Sequence, residues 1–287
     1  MDASWLRSSF EELKARSGAS REALLETLSP TRCAGCERPG ALLCDDCLNK
    51  LVLIDPEESC TLCGAPYGRV LCTECRGAAS SLDRCLACAL FSGALPRVIR
   101  AYKDGGERRL ARVIAELLLD TALHAQVAAP DRYGGILAGA DFITFVPATK
   151  SAYRRRGFDH MEAIARSLGA MAGVAVCDCI IKHGSSDQRK MGREGRLATA
   201  RSIYEVPDIV QKYVYGARLL LIDDVITTGA TMTAAAAVLK GAGAAHVDGL
   251  AAARVLRCVA PAPAVLRAGP RVRWAWKRLH TPATCDN

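Results

Sequence analysis

The stretch from Leu219 to Thr231, LLLIDDVITTGAT, constrains this chain more than any other. Leu219, Leu220, Leu221 and Ile222 form an uninterrupted apolar run, which reads as a strand buried on both faces. Asp223 and Asp224 stand at its carboxyl end, the edge where open α/β sheets bind ligands. Val225 and Ile226 lead into a turn of small residues, Thr227, Thr228, Gly229, Ala230 and Thr231, which feeds a helix expected from Met232 to Lys240. Backbone N–H groups at a helix start are unpaired and carry the positive end of the dipole, so they suit a phosphate. The threonine hydroxyls add donors, and Gly229 lets the backbone approach closely. The two carboxylates suit the opposite task, accepting hydrogen bonds from ribose hydroxyls or holding Mg²⁺ through water. Sugar hydroxyls on one side and a phosphate on the other describe a site for ribose 5-phosphate. A plainer reading keeps the strand and lets the Asp pair cap the next helix.

The segment resembles the phosphoribosyl pyrophosphate (PRPP) motif of type I phosphoribosyltransferases: hydrophobic residues, two acids, then a T-T-G-x-T type turn. The resemblance implies that Asp223 and Asp224 hold the ribose, as the acids that would serve catalysis. It implies that Val225, Ile226, Thr227, Thr228, Gly229, Ala230 and Thr231 form the loop around the 5-phosphate.

Fourteen cysteines supply the second constraint. Cys33, Cys36, Cys44 and Cys47 form CAGCERPGALLCDDC, and Cys60, Cys63, Cys72 and Cys75 form CTLCGAPYGRVLCTEC. Each copy offers four thiolates on two C-x2-C knuckles, the donor set of a tetrahedral structural zinc with no open position. About two zinc ions per chain are expected, one per copy, although a crossed pairing of knuckles uses the same residues. So small a segment has little core of its own, and metal binding would supply its folding energy. Cys85 and Cys88 make a further C-x2-C without a partner pair. They lie in a segment, 81–91, that reads as a strand, so packing is expected of them. Cys177 and Cys179 alternate within VAVCDCII and read as core on one face of a strand spanning 174–181.

The 287 residues suffice for one or two domains with a real core. Half are hydrophobic, yet no apolar run approaches the roughly 18 residues that span a bilayer. Charged residues interrupt the first thirty positions, which excludes an ordinary secretory signal and favours a short amphipathic helix. A cytoplasmic protein without membrane insertion is expected. The net charge of +8 suits a phosphate-rich ligand or nucleic acid.

Along the chain, 95–102 reads as a strand or short helix ending in the turn Lys103-Asp104-Gly105-Gly106, and 107–123 as a helix. A Gly- and Ala-rich loop, 128–139, follows, with a short strand at 142–146. Asp159 and Glu162 form a capping-box-like start for a helix with Met161, Ile164, Ala165 and Leu168 on one face, ended by Gly169. Strands alternating with helices argue for a mostly parallel sheet covered on both faces.

The order of segments, zinc knuckles, YKDGGERRLA, RRRGFD, QRKMGREGR and then LLLIDDVITTGAT, resembles the ComF/GntX family of competence-associated proteins. That resemblance implies a type I phosphoribosyltransferase-like α/β fold, mostly parallel with helices on both faces, behind a small zinc-ribbon domain. The expected division is a helical extension (1–29), a double zinc-knuckle domain (30–80), the phosphoribosyltransferase-like domain (81–257) and a basic tail (258–287). It also implies PRPP with Mg²⁺ as ligand, a link to DNA uptake, and a pyrophosphate loop at 147–150. Lys150 and Arg156, with Arg154 and Arg155, would then neutralise the pyrophosphate. The basic segment 188–196 would close over the ligand.

The chain departs from the family at Asp159-His160, where R-G-F-N-Q is usual, and at Val146-Pro147-Ala148-Thr149-Lys150. His160 tempts as an acid–base group, but a half-exposed cap histidine is expected. The family's fold does not establish transfer, because many members have no assigned reaction. A contrasting reading is a non-catalytic PRPP-sensing module that binds single-stranded nucleic acid through its zinc knuckles, the basic segment and the tail, where Trp274 and Trp276 are interleaved with arginines.

Overall fold

The computed structural model describes residues 30–66, 70–183 and 203–256, with the backbone alone at 265–267. The amino-terminal extension, the basic segment 188–196 and the Trp-containing tail lie outside the described residues.

After a short helix, α1 (Asp45–Asn49), the chain enters strands β1 (Val52–Ile54) and β2 (Arg84–Leu90). Helices α2 (Leu95–Lys103), α3 (Leu110–Ala128) and the single turn α4 (Pro130–Tyr133) precede β3 (Phe142–Phe145). Then come α5 (Lys150–Arg156), α6 (His160–Ala172), β4 (Ala175–Val176) and the two-stranded antiparallel sheet of β5 (Ile181–Lys182) and β6 (Tyr204–Glu205). Helix α7 (Asp208–Val214), β7 (Arg218–Ile226), α8 (Ala230–Gly241), β8 (His246–Arg254) and β9 (Val265–Arg267) complete the order.

The main sheet runs β4-β3-β7-β8-β2-β1-β9. It is parallel from β4 to β2, and the zinc-knuckle region adds β1 antiparallel to β2. Leu220 and Ile222 of β7 face a core with α2, α3 and α6, while Leu219 and Leu221 face α8. That alternation is the period of two required of a strand covered on both sides. The expected α/β architecture is thus present, and Cys33 and Cys47 of the first knuckle pair share the α2–α3 core.

The winding of the chain reverses between β3 and β7. From β3 the chain moves outward through α6 to β4, and from β7 it moves the other way through α8 to β8. The carboxyl ends of β3 and β7 therefore face a crevice onto which α6 and α8 both open, the geometry of a topological switch point.

Several local expectations are corrected. Of the strand and short helix read for 95–102, the helix is the one formed, with Leu95, Val98, Ile99 and Tyr102 buried on one side. Pro130 starts a helical turn inside the expected loop, as proline does at a first helical position. Gly169 lies within α6, which ends at Gly173 in the left-handed conformation. A Cβ at Gly169 would lie 2.7 Å from the Val174 carbonyl, so close crossing by the next segment explains that glycine. The expected strand 174–181 is divided between β4 and β5. Cys179 is buried but Cys177 is only partly so, and neither is in a strand. Cys85 and Cys88 are buried packing residues on opposite faces of β2. No helix among the described residues is long and apolar enough to cross a membrane.

Candidate functional site

Strand β7 carries its apolar run past the acids to Ile226, so Asp223 and Asp224 are buried in its last turn of pleat. The strand then breaks at Thr227 and Thr228, and Gly229 takes φ 79°, a left-handed conformation that favours glycine. Helix α8 opens at Ala230, with Thr227, Thr228 and Thr231 exposed around its start. The structure thus places two buried carboxylates beside exposed hydroxyls and a helix N-terminus, within nine consecutive residues of one another.

The acids are not alone. His160, expected to be half exposed, is buried at 7% exposure, and its Nε2 lies 3.1 Å from Asp224 Oδ2. Arg156 Nη1 lies 3.3 Å from His160 Nδ1. A guanidinium only donates, so Nδ1 accepts and the Nε2–H donates to Asp224. The correction has a mechanical cause: Asp159 caps α6 through the Met161 and Glu162 N–H groups, and its other oxygen accepts from the Ala148 N–H at 2.7 Å. Tyr102 donates to the His160 carbonyl from the α2 side. These bonds turn the first residue of α6 inward, toward the crevice.

Lys103, the last residue of α2, forms an ion pair with Asp224. Burial alone would raise the Asp224 carboxyl, but the His160 hydrogen bond and the Lys103 charge outweigh it and hold it below the ordinary range. Asp223 goes the other way: burial first, then the charge of Asp224, push it up. Lys103 and Lys182 offset part of that rise, and burial depresses Lys182 in turn. The pair therefore divides into one ionised and one proton-holding carboxyl.

Beside the acids, a cleft of about 550 Å³ is lined by Lys103, Asp104, Gly105, Gly106, Arg155, Arg156 and Phe158. Arg155 and Arg156 reach Asp104 at 3.5 and 3.3 Å. The Arg156 side chain is 11% exposed, and its buried Nε has no hydrogen-bond partner among the described residues. Lys150 is exposed at the start of α5 and does not line this cleft. Sequence reasoning missed Lys103, Lys182 and Arg254. The first two are isolated lysines in elements of unrelated pattern, and only the YKDGG segment pointed toward Lys103.

The cysteines gather within each copy. The Sγ atoms of Cys33, Cys36, Cys44 and Cys47 lie within 4.8 Å of one another, as do those of Cys60, Cys63, Cys72 and Cys75. Cys36 to Cys44 is 3.6 Å and Cys63 to Cys72 is 3.7 Å. Ligands at 2.3 Å on a tetrahedral zinc are about 3.8 Å apart, so both donor sets fit the ion and local pairing is the arrangement formed. Gly35 and Cys44 N–H groups point at Cys33 Sγ, which supports a thiolate.

No family model matches the chain. It is 31% identical over 103 residues to "Competence protein ComFC" of Streptococcus pneumoniae (strain ATCC BAA-255 / R6), a segment that covers 36% of this chain and 43% of that relative. Two solved structures are similar in part. One is a glutamine PRPP amidotransferase from B. subtilis complexed with ADP and GMP (20% identity, TM-score 0.33, covering 49% of this chain and 26% of that one). The other is described as the allosteric regulatory enzyme of purine biosynthesis (24% identity, TM-score 0.31, covering 49% and 25%). Structural likeness at those scores says nothing of function. The motif order and this relative agree, and over the matched segment the chain is similar to a ComF-type competence protein.

Proposed function

We propose that this chain binds PRPP, with the 5-phosphate in the Thr227–Thr231 loop, the ribose hydroxyls on Asp223 and Asp224, and the pyrophosphate toward the basic cleft. One observation carries the reading: a buried acid pair and an exposed threonine turn at a helix start meet at the switch point of a mostly parallel sheet. A phosphate fits the N–H groups at the start of α8, where the Ala230 N–H donates to Thr228 Oγ1 at 3.2 Å. The ionised Asp224 accepts hydrogen bonds from sugar hydroxyls, and Asp223 accepts beside it once the Mg²⁺ that accompanies PRPP has displaced its proton.

The cleft supplies the rest. Lys103, Arg155 and Arg156 face the space into which a pyrophosphate on the anomeric carbon extends, and the free Arg156 Nε is a donor awaiting an acceptor. The oxygen donors of the acid pair suit Mg²⁺, which when bound would neutralise the pyrophosphate oxygens. Lys150 belongs to the proposal only as an exposed charge at the start of α5.

Recognition and transfer share this binding step. Transfer to an acceptor releases pyrophosphate, and an acceptor screen that detects no release assigns the site to recognition. The relative is a competence protein by name, which supports a role in competence; DNA uptake is the setting that the family resemblance implies. The nucleic-acid reading rests chiefly on the basic segment and tail, outside the described residues. Calorimetric titration of PRPP with Mg²⁺ into the full chain tests the site. Binding that disappears in the Asp223→Asn/Asp224→Asn variant supports it; no heat with the wild-type chain overturns it.

A further inference from the structure

We infer that Arg254 is a positioning residue that ties the second cysteine cluster to the Thr227–Thr231 loop, so that metal in that cluster sets the shape of the proposed phosphate site. The guanidinium sits at the end of β8, 3% exposed, between two elements far apart in sequence. On one side its Nε donates to the Cys63 carbonyl at 3.0 Å, and its Nη2 lies 3.7 Å from Cys63 Sγ. On the other its Nη1 reaches the carbonyls of Ile226 at 3.3 Å, Val255 at 2.6 Å and Thr227.

Those carbonyl contacts orient the loop. In a trans peptide the C=O and the following N–H point in opposite directions. Carbonyls of Ile226 and Thr227 drawn inward to Arg254 therefore turn the Thr227 and Thr228 N–H groups outward, toward the face where an anion would sit. No other described cation makes these contacts with both loop and knuckle.

The knuckle is equally fixed. The Cys85 N–H of β2 donates to the Thr61 carbonyl at 2.6 Å, and a Cβ on Gly64 would come within 2.9 Å of the Ala87 nitrogen. Arg132 clamps the segment before Cys60 through the carbonyls of Pro56, Glu57 and Ser59. A zinc ion with four thiolates carries excess negative charge, which the buried guanidinium balances. Loss of metal leaves the Cys63 knuckle free to turn, and the arginine loses its anchor on the Cys63 carbonyl and sulfur. The energetic link runs in both directions, so an anion in the loop also retains the metal.

The inference rests on the PRPP site proposed above for its meaning, but its test needs no ligand. Hydrogen exchange is followed in the zinc-loaded full chain at Thr233 and Val255, whose N–H groups bond to the Gly229 and Ile226 carbonyls. Rates are normalised to strand residues 219–222, which report global unfolding. Arg254→Met and Cys75→Ser are each expected to accelerate exchange at both sites about tenfold or more, with the strand unchanged. Cys36→Ser, in the first cluster, leaves the normalised rates as in wild type. Wild-type rates in Cys75→Ser, or equal acceleration in Cys36→Ser, overturn the inference. Should Arg254→Met unfold the strand, the Cys75→Ser comparison alone decides. In a second arm, ribose 5-phosphate should slow loss of one zinc to a chelator, and Arg254→Lys should abolish the difference. Calorimetric binding without slowed zinc loss overturns the coupling and leaves the site standing; no binding, with the exchange result as expected, overturns the ligand and leaves the coupling.

Discussion

His160 and Asp224, 64 positions apart in sequence, meet 3.1 Å apart where α6 and β7 converge, with Nε2 facing Oδ2. The imidazole is a fixed donor to the carboxylate because Arg156 occupies its other nitrogen. A glutamine amide at this position would present an N–H to the same acid. His160→Gln is therefore expected to keep PRPP affinity within about threefold, whereas His160→Ala leaves Asp224 short of a donor. The alanine variant should lose about 1–2 kcal/mol of stability and about tenfold in affinity. Thermal denaturation and calorimetry on both variants check the difference.

Asp223 sets a pH dependence. Its folded carboxyl is pushed up to about 8, by burial and then by the charge of Asp224. A carboxyl that holds its proton more tightly when folded subtracts stability as pH rises from the ordinary 3.8 toward that value. Asp223→Asn removes this slope and should stabilise the ligand-free chain at pH 7 by about 2 kcal/mol, while PRPP binding is lost. Urea denaturation at pH 5, 7 and 8 tests it. A wild-type stability that rises over that interval, with no gain in the variant, contradicts the assignment.

Binding of PRPP with Mg²⁺ should also displace the Asp223 proton, since a cation competes with it for the same oxygens. Affinity is expected to strengthen between pH 6 and 8, with proton release seen as a binding enthalpy that varies with buffer ionisation enthalpy. Ribose 5-phosphate without Mg²⁺ should show much less of either effect.

Lys103 separates the two ends of the ligand. It pairs with Asp224 and lines the basic cleft, but it is remote in role from the threonine loop. Lys103→Met is expected to weaken PRPP about tenfold or more and ribose 5-phosphate less than about threefold, from loss of a charge-assisted contact to pyrophosphate. Equal losses for both ligands would mean that Lys103 acts only by balancing the acids.

The two cysteine clusters should differ in what they hold together. Cys33 and Cys47 belong to the same core as Leu95 and Tyr102, whereas Cys60, Cys63 and Cys72 form a small separate cluster with Ala65. Metal analysis should return about two zinc per chain. Cys47→Ser should lower the melting temperature of the whole chain more than Cys75→Ser does, because the first site supports α2 and α3.

The strand, acid pair and threonine turn were legible in sequence because they are contiguous: period, spacing and residue type lie within thirteen positions. The two donor sets were legible for the same reason, and the α6 start was marked by Asp159 with Glu162. Local pattern failed where a neighbour decided the outcome, as at Gly169, retained for the crossing of the next segment, and at 174–181, where the strand divides. What the chain alone determined was the inventory: a mostly parallel α/β sheet, two four-thiolate sets and a carboxylate pair next to a phosphate-type turn. Only the tertiary structure decided that Lys103, Arg156 and His160 surround that pair and that Arg254 joins the turn to a cysteine knuckle. The lowered proton affinity of Asp224 depends on His160 and Lys103, 64 and 121 positions away, which the fold brings to the end of β7 and local spacing does not encode.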